Sequence, residues 1–420
     1  MMRGELYTSI DVGTSKITTL VANLQANSPP ELIGFGNSPS QGLKKGVVVS
    51  IQEAQESIRA SVNEAARSAG VSTPWADVGI SGGHLELLPR WGSIRSLGTT
   101  AALTYSEIDR AVDAAYPAEL PPERQVVHMI PRLYRVDGLS GVRNPIGMHA
   151  LRLDVETLCV TGASSAVQNL VTAVGGARIQ VRNLVMGGVA AGASVLSKDE
   201  IEMGVILVDI GGGATTVTVF HQGTIWNAAV IPVGGHQFTT DLAVAMNTPY
   251  QIAEEVKLQH GQVGLEGVGD GQVEIEAFGD RRTVRVDRRE MCRYLNDRTD
   301  ELFRLIMLKI RGFGFQDMPP AGLVLTGGGA NLPGIDKVAR RVLATPVRIG
   351  VPEGVVNLPE ETRDPMFASA IGSLLWRTRP TTTQGSLRGI DRMKGKHNVF
   401  HSQPGGPLHW LKDRVKRVAL

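Results

Sequence analysis

Apolar and polar side chains fall in one pattern that the chain writes twice. "DVGTSKITTLVA" from Asp11 to Ala22 and "DIGGGATTVTVF" from Asp209 to Phe220 stand 198 residues apart. Each predicts an apolar strand running into an acid, a glycine-bearing turn, and a β-branched strand that returns. After the first hairpin, "ELIGFGNSP" and "GVVVS" predict short strands. Residues 50–70 predict a helix with Ser50 as N-cap, Glu53 closing a capping box and Gly70 at the stop. "ADVGISGG" returns as a strand, and helices are expected near 165–174 and 187–196. "NTPYQIAEEVKLQHG" predicts a helix with Thr248 as N-cap, Pro249 at the first helical position and Gly261 beyond the end. Another is expected from Asp287 to about Lys309 with Glu290 in a capping box, and "GLVLTGGG" predicts a strand ending in three glycines.

Two regions break this rhythm. From about His84 to Cys159 a helix at "TYSEIDRAVDAAY" is followed by the proline-broken strands "RQVVHMIPRLYRVDG" and "MHALRLDVETLCVTG", which together predict an inserted subdomain. From Thr378 to Pro407, Thr, Gly, Pro and Arg dominate, predicting a disordered linker. Beyond it, "PLHWLKDRVKRVAL" is amphipathic. At 100° per residue Leu408, Leu411, Val415, Val418 and Ala419 share a sector of about 100°, while Lys412, Arg414, Lys416 and Arg417 flank or oppose it. Trp410 lies off that face, at a place suited to lipid headgroup depth.

Charge sharpens the last point. The net charge is +2, but residues 377–420 carry ten Lys/Arg against two acids, so the first 376 residues are net −6. A basic tail with an apolar stripe points to anionic lipid; nucleic acid would need no stripe. The 420 residues, 42% hydrophobic and 20% charged, suit a globular body of two large lobes or several subdomains. Cys159 and Cys292 stand in no CxxC or Cys/His cluster, so neither a disulfide framework nor a zinc site is expected, and a reducing cytoplasm fits. "LVMGGVAAGASVL" is too short to span a bilayer, and the opening residues lack the apolar core of a signal peptide.

Glycine turns between strands let consecutive backbone N–H groups approach the oxygens of a phosphate, because no Cβ intervenes. Gly211, Gly212 and Gly213, with Thr215 following, offer this in the second hairpin. Gly13, Thr14, Ser15 and Lys16 offer it in the first, with added hydroxyls and a charge. Asp11 and Asp209 suit a hydrated Mg²⁺, which takes one or two carboxylates and fills its shell with water and phosphate. One hairpin per lobe makes a clamp around nucleotide phosphates. A third turn, Gly327, Gly328 and Gly329, would pack against an adenosine, and Glu254 with Lys257 stand one helical turn apart to complete a nucleoside pocket. No Walker A motif occurs.

This order of elements resembles the superfamily of actin, heat-shock chaperones and sugar kinases, with "DVGTSKITTLVA" and "DIGGGATTVTVF" as phosphate hairpins and "LTGGGANLPGI" as adenosine turn. Within it, "HMIPRLYRVDGLSGVRNPIGMHALRL" is similar to the FtsA family of bacterial cell-division proteins, whose inserted subdomain is called 1C. The resemblance implies a two-lobed α/β actin-like fold. Lobe 1 covers residues 4–84 and 160–198 and is completed by about 355–376; the insertion covers 85–159. Lobe 2 covers 199–354, with subdomain 2B at about 245–315; a linker over 377–407 leads to a membrane-targeting helix over 408–420. It further implies Mg-ATP at the residues named, with Asp11 and Asp209 as the catalytic acids of at most a slow ATPase. A homopolymer at the cytoplasmic face of the membrane would bind the C-terminal peptide of FtsZ through 2B, and other division proteins besides, anchoring the ring at the division site. Alternative readings of the same fold are a PilM-like platform of type IV pilus assembly and a kinase or phosphatase.

Overall fold

A computed structural model describes residues 5–25, 28–95, 102–278, 283–315 and 317–376; the expected linker and terminal helix lie outside the described residues. β1 (Glu5–Val12) and β2 (Lys16–Leu24) form the first hairpin, and β3 (Glu31–Pro39) extends it antiparallel. After the two-residue strands β4 (Leu43–Lys44) and β5 (Val47–Val48), α1 (Ile51–Ala69) crosses over, and β6 (Trp75–Ile80) pairs parallel with β1. Gly70 ends α1 at φ 66°, a backbone that a Cβ disfavours. Ser50 holds the N-cap position but makes no side-chain cap, so the expected capping box is absent. α1 comes close to β3 because glycine faces it: a Cβ on Gly36 would stand 2.1 Å from the Ser61 carbonyl oxygen.

The insertion has a sheet of its own. β7 (Glu86–Arg95), α2 (Tyr105–Ala114), β8 (Arg124–Val136), β9 (Leu139–Val142) and β10 (Arg152–Ala163) follow in the chain, and the strands order as β7-β10-β8-β9. Thr104 and Glu107 form a reciprocal capping box that starts α2. β7 is a strand that the hydrophobic pattern does not reveal, since Pro89 interrupts it and most of its side chains are exposed. As an edge strand it tolerates the proline's missing N–H.

α3 (Ser164–Gly176) and β11 (Gln180–Met186) return to the first lobe, completing the sheet β11-β6-β1-β2-β3. The helix expected at 187–196 is two short turns, α4 (Gly187–Ala190) and α5 (Gly192–Val195). Then α6 (Lys198–Met203) opens the second lobe, whose β12 (Val205–Ile210), β13 (Thr215–His221) and β14 (Thr224–Ile231) repeat the hairpin and its extension. α7 (Gly235–Ala245), α8 (Tyr250–His260), the hairpin β15 (Gln272–Glu276) and β16 (Thr283–Asp287), and α9 (Arg288–Gly312) build its outer part. Asp287 caps α9, accepting from the Arg289 and Glu290 amides, but Glu290 does not complete the expected capping box and pairs with the Tyr294 hydroxyl instead. Pro249, not Thr248, is the N-cap of α8; the Thr248 hydroxyl donates instead to the Glu276 carbonyl at 2.5 Å.

β17 (Leu323–Thr326), α10 (Ile335–Leu343) and β18 (Val347–Ile349) close the second sheet, β14-β13-β12-β17-β18. The two five-stranded sheets share one plan: on one side of the acid-bearing strand two strands follow through successive antiparallel pairings, and on the other two follow through parallel pairings. That is the repeated hairpin carried through to whole lobes. The last helix, α11 (Ala368–Trp376), returns to pack on Tyr7, Leu20 and Leu32 of the first sheet.

Candidate functional site

The two acids occupy equivalent places. Asp11 lies opposite Thr18 across its hairpin and beside Gly79 on the parallel strand; Asp209 lies opposite Thr216 and beside Thr326. Glycine makes room for both carboxylates, since a Cβ on Gly79 would come 2.7 Å from Asp11 Oδ1 and one on Gly327 2.3 Å from Asp209 Oδ1. Each turn is closed by the same bond, Gly13 N–H to Lys16 O at 3.1 Å and Gly211 N–H to Ala214 O at 3.0 Å.

The hairpin tips meet across the lobes. A Cβ on Gly212 would stand 1.9 Å from Ser15 Oγ, and one on Gly213 2.7 Å from Thr14 Oγ1 and from Lys45 Cα. Thr14 Oγ1 also accepts from the Gly46 amide at 2.9 Å. The first turn of α7 backs the second tip, with Gly235 and His236 amides donating to Gly211 O and Gly212 O at 2.9 and 2.7 Å. Thr215 is fully buried and its hydroxyl donates to Val233 O at 2.8 Å, so it braces the hairpin from inside.

Electrostatics set this place apart. Lys16 Nζ is buried 3.1 Å from the centroid of the Phe367 ring and has no hydrogen-bond partner. Burial pushes its ammonium down to about 7, against the pull of Asp11, Asp364 and Asp209. Burial raises the Asp11 carboxyl to about 6, helped by Asp209 and opposed by Lys16. Asp209 is raised by burial too, against a 2.6 Å hydrogen bond from Ser369 and the charge of Lys16. Three buried, incompletely compensated charges are costly unless something completes them. A cation would complete the carboxylates and an anion the ammonium, so the donor set fits a metal-bound phosphate. Among the described residues no group of three or more His, Cys, Asp or Glu could hold a metal alone. A pair of carboxylates matches an ion that keeps most of its water, as Mg²⁺ does.

Glu254 and Lys257 pair at 2.7 Å on α8, and Lys257 Nζ also reaches Thr239 Oγ1 at 2.8 Å and Gly235 O at 3.3 Å, which ties the pair to α7, the helix that backs the second hairpin. The Lys257 side chain is only 12% exposed, so this is no solvated surface bridge. In the third turn, a Cβ on Gly329 would come 2.3 Å from Ile210 Cγ2, whereas Gly328 is open enough that one would meet only Met366 at 3.6 Å. Hence two of its glycines serve close packing beneath Asp209. Gly79, Ser369, Phe367, Asp364 and His236 also belong to the site and are not evident from the sequence pattern. Only His236, directly after a glycine pair, carried a local signal.

Paired lobes of this topology, each with an acid at the head of a glycine turn, define the actin-like ATPase fold. Structural likeness agrees: a PilM-PilN type IV pilus biogenesis complex matches with a TM-score of 0.63 at 18% identity, over 89% of this chain and 99% of that one. MreB5 of Spiroplasma citri bound to ADP matches with a TM-score of 0.53 at 13% identity, over 92% and 98%. Sequence narrows the class. The family model described as cell division protein FtsA matches residues 206–372, and that of the SHS2 domain inserted in FtsA matches residues 82–161. The cell division protein FtsA of Pseudomonas aeruginosa is 37% identical over 376 residues, 89% of either chain. The chain belongs to the FtsA family of bacterial cell-division proteins.

Proposed function

We propose that this chain binds Mg-ATP between its two hairpins and uses it to control polymerisation on the cytoplasmic face of the membrane, where it anchors the FtsZ ring at the division site. The observation that carries the nucleotide reading is the Lys16 ammonium, buried without a hydrogen-bond partner beside Asp11 and Asp209. Lys16 and the turn residues Gly13, Thr14, Ser15, Gly211, Gly212 and Gly213 would receive the phosphates. Asp11 and Asp209 would hold the metal through water, with Ser369 fixing the Asp209 carboxylate. Glu254, Lys257 and the open Gly328 would receive the nucleoside, with Gly327 and Gly329 setting the turn against the strand below it. Mg²⁺ in such a place supplies charge neutralisation between phosphate and carboxylate.

The anchoring half of the reading rests on family membership, the apolar stripe and basic residues of 408–420, and the 2B region at about 245–315 as the receptor for the FtsZ peptide. No described helix is long and apolar enough to cross a membrane. Calorimetric titration with Mg-ATP tests the first half: wild type should bind, and Asp209→Ala and Lys16→Met should each weaken binding about tenfold or more, the scale of a charged hydrogen bond. Equal affinity of all three proteins would end the reading. For the second half, a fluorescent fusion should form a midcell band; polar foci would favour a pilus platform instead.

A further inference from the structure

One strand of the insertion touches both lobes. β8 is buried continuously from Val126 to Pro131, on one side by the insertion's own core and on the other by the central core. Val127 and Ile130 share that central core with Val167 and Leu170 of the first lobe and with Phe220, Ile225 and Ala228 of the second. Two of its side chains, His128 and Arg132, reach in different directions. The His128 ring meets Trp376 of α11 edge-on at 5.6 Å. Four residues on, roughly 13 Å along a strand, the Arg132 guanidinium lies 3.8 Å from the centroid of the Trp226 ring on β14 and donates to Trp226 O at 3.1 Å.

We propose that β8 is a strut that makes the tilt of the insertion follow the angle between the lobes, with the Arg132–Trp226 contact as its coupling joint. Arg132 and its ion-pair partner Glu156, at 3.8 Å, are only 11% and 12% exposed, yet both belong to the insertion. Lobe 2 helps keep them dry. Arg132 Nε has no hydrogen-bond partner, so the pair is imperfectly satisfied. The cation over the ring offsets a desolvation cost of similar kind, so the joint is poised to open or shift rather than to clamp. Trp226 passes displacement onward: His221 and Phe315, the latter just beyond α9, meet its ring at 6.0 and 6.2 Å.

A second joint fixes direction. Arg143, just past β9, grips Glu202 of α6 with both nitrogens at 2.8 and 2.5 Å. Both side chains are about half exposed, so this pair adds little stability but orients the insertion on lobe 2. The chain connections through β6 and α3, and Trp376, hold the insertion to lobe 1. If the lobes change angle, one set of contacts must shear or the insertion must turn with them. That the lobes change angle on Mg-ATP binding rests on the function proposed above.

Hydrogen exchange on the full chain tests the strut, with and without saturating Mg-ATP, for wild type, Arg132→Ala, Trp226→Leu and the conservative Arg132→Lys. In wild type, Mg-ATP should change exchange of α2 and of residues 134–142 by about threefold or more, although neither lies in the pocket. Arg132→Ala and Trp226→Leu should still bind Mg-ATP but lose that response, while Arg132→Lys, which keeps a cation over the ring, should retain it. A response that survives in both Arg132→Ala and Trp226→Leu, or that is missing in wild type saturated with Mg-ATP, overturns the strut. Should wild type bind no nucleotide, the nucleotide reading falls and the ligand-free arm decides the strut. Arg132→Ala must then speed exchange in β14 by about threefold or more, and unchanged exchange there overturns it.

Discussion

Ser15 Oγ and His236 Nε2 lie 3.1 Å apart across 221 residues of sequence, so the tip of the first hairpin is bonded to the first turn of α7 in the opposite lobe. Burial lowers the basicity of the His236 ring, with Glu254 opposing and Lys257 adding to the effect. The contact is therefore a neutral hydrogen bond on the open side of the hairpins, worth about 0.5–1.5 kcal/mol. In the nucleotide reading proposed above, a nucleotide held behind it would leave only when the tips part. His236→Ala should raise the release rate of a fluorescent ADP by about twofold to tenfold, the factor that this energy implies. Stopped-flow displacement measures it, and an unchanged rate would show that the tips do not gate the pocket.

Gly212 and Gly213 are both positions where the tips leave no room for a Cβ, and Gly212 is the one that faces Ser15. With a Cβ placed 1.9 Å from Ser15 Oγ and 3.3 Å from His236 Nε2, valine would force the hairpins apart. Gly212→Val should abolish Mg-ATP binding in a titration while leaving the thermal unfolding of the empty protein within a few degrees of wild type, because the steric conflict is relieved by opening the cleft. Gly267 is the control: a Cβ there meets nothing within 4 Å, though its φ of 85° makes any substitution locally strained. Tight binding by Gly212→Val would reduce the hairpin to an ordinary turn.

Both hairpins and their acids were legible because strand alternation, glycine and an acid are local signals, and the duplication repeats them. What stayed hidden is what distant segments bring. Phe367 under Lys16 and Ser369 on Asp209 come from the far end of the chain, and nothing near Lys16 or Asp209 announces them. β7 was hidden by Pro89 and by exposure on both faces, the marks of an edge. Two expected caps did not form: Thr248 turned to Glu276 O, and the Ser50 side chain makes no cap bond. The insertion reads in sequence as an appendage of lobe 1, whereas Arg132 and Arg143 tie it to lobe 2 as well.

Asp154 gives the insertion a stability that depends on pH. Its carboxyl is 6% exposed; burial works against the charge, but Ser93 and Arg152, the latter at 2.8 Å, together with Arg135, hold it below its ordinary range. A depressed folded value means that the stabilisation is present above the unfolded pKa of about 3.9 and is lost as pH falls through the folded one. Asp154→Asn should thus cost about 1–3 kcal/mol at pH 7, the worth of charge-assisted bonds. The gap to wild type should close below about pH 4. Thermal unfolding at both pH values checks the sign; a gap that is constant with pH would mean packing, not charge, is what the substitution removes.

The terminal segment 408–420 lies outside the described residues, and its reading rests on sequence. Leu408, Leu411, Val415 and Val418 fall on one helical face, and Lys412, Arg414, Lys416 and Arg417 can reach anionic headgroups from its flanks. Each such cation contributes roughly 1 kcal/mol near an anionic leaflet. Four of them with four aliphatic anchors would give reversible binding, which the proposed polymer would multiply by avidity. Glutamate at Val415 puts a charge in the middle of the apolar face and repels the lipid. Val415→Glu should therefore stay at the bottom of a flotation gradient with vesicles containing phosphatidylglycerol, while binding Mg-ATP as wild type does. Wild type should float with those vesicles and remain behind with purely zwitterionic ones. If Val415→Glu floats as efficiently as wild type, the segment is not the anchor, and a tail helix packed on the body takes its place.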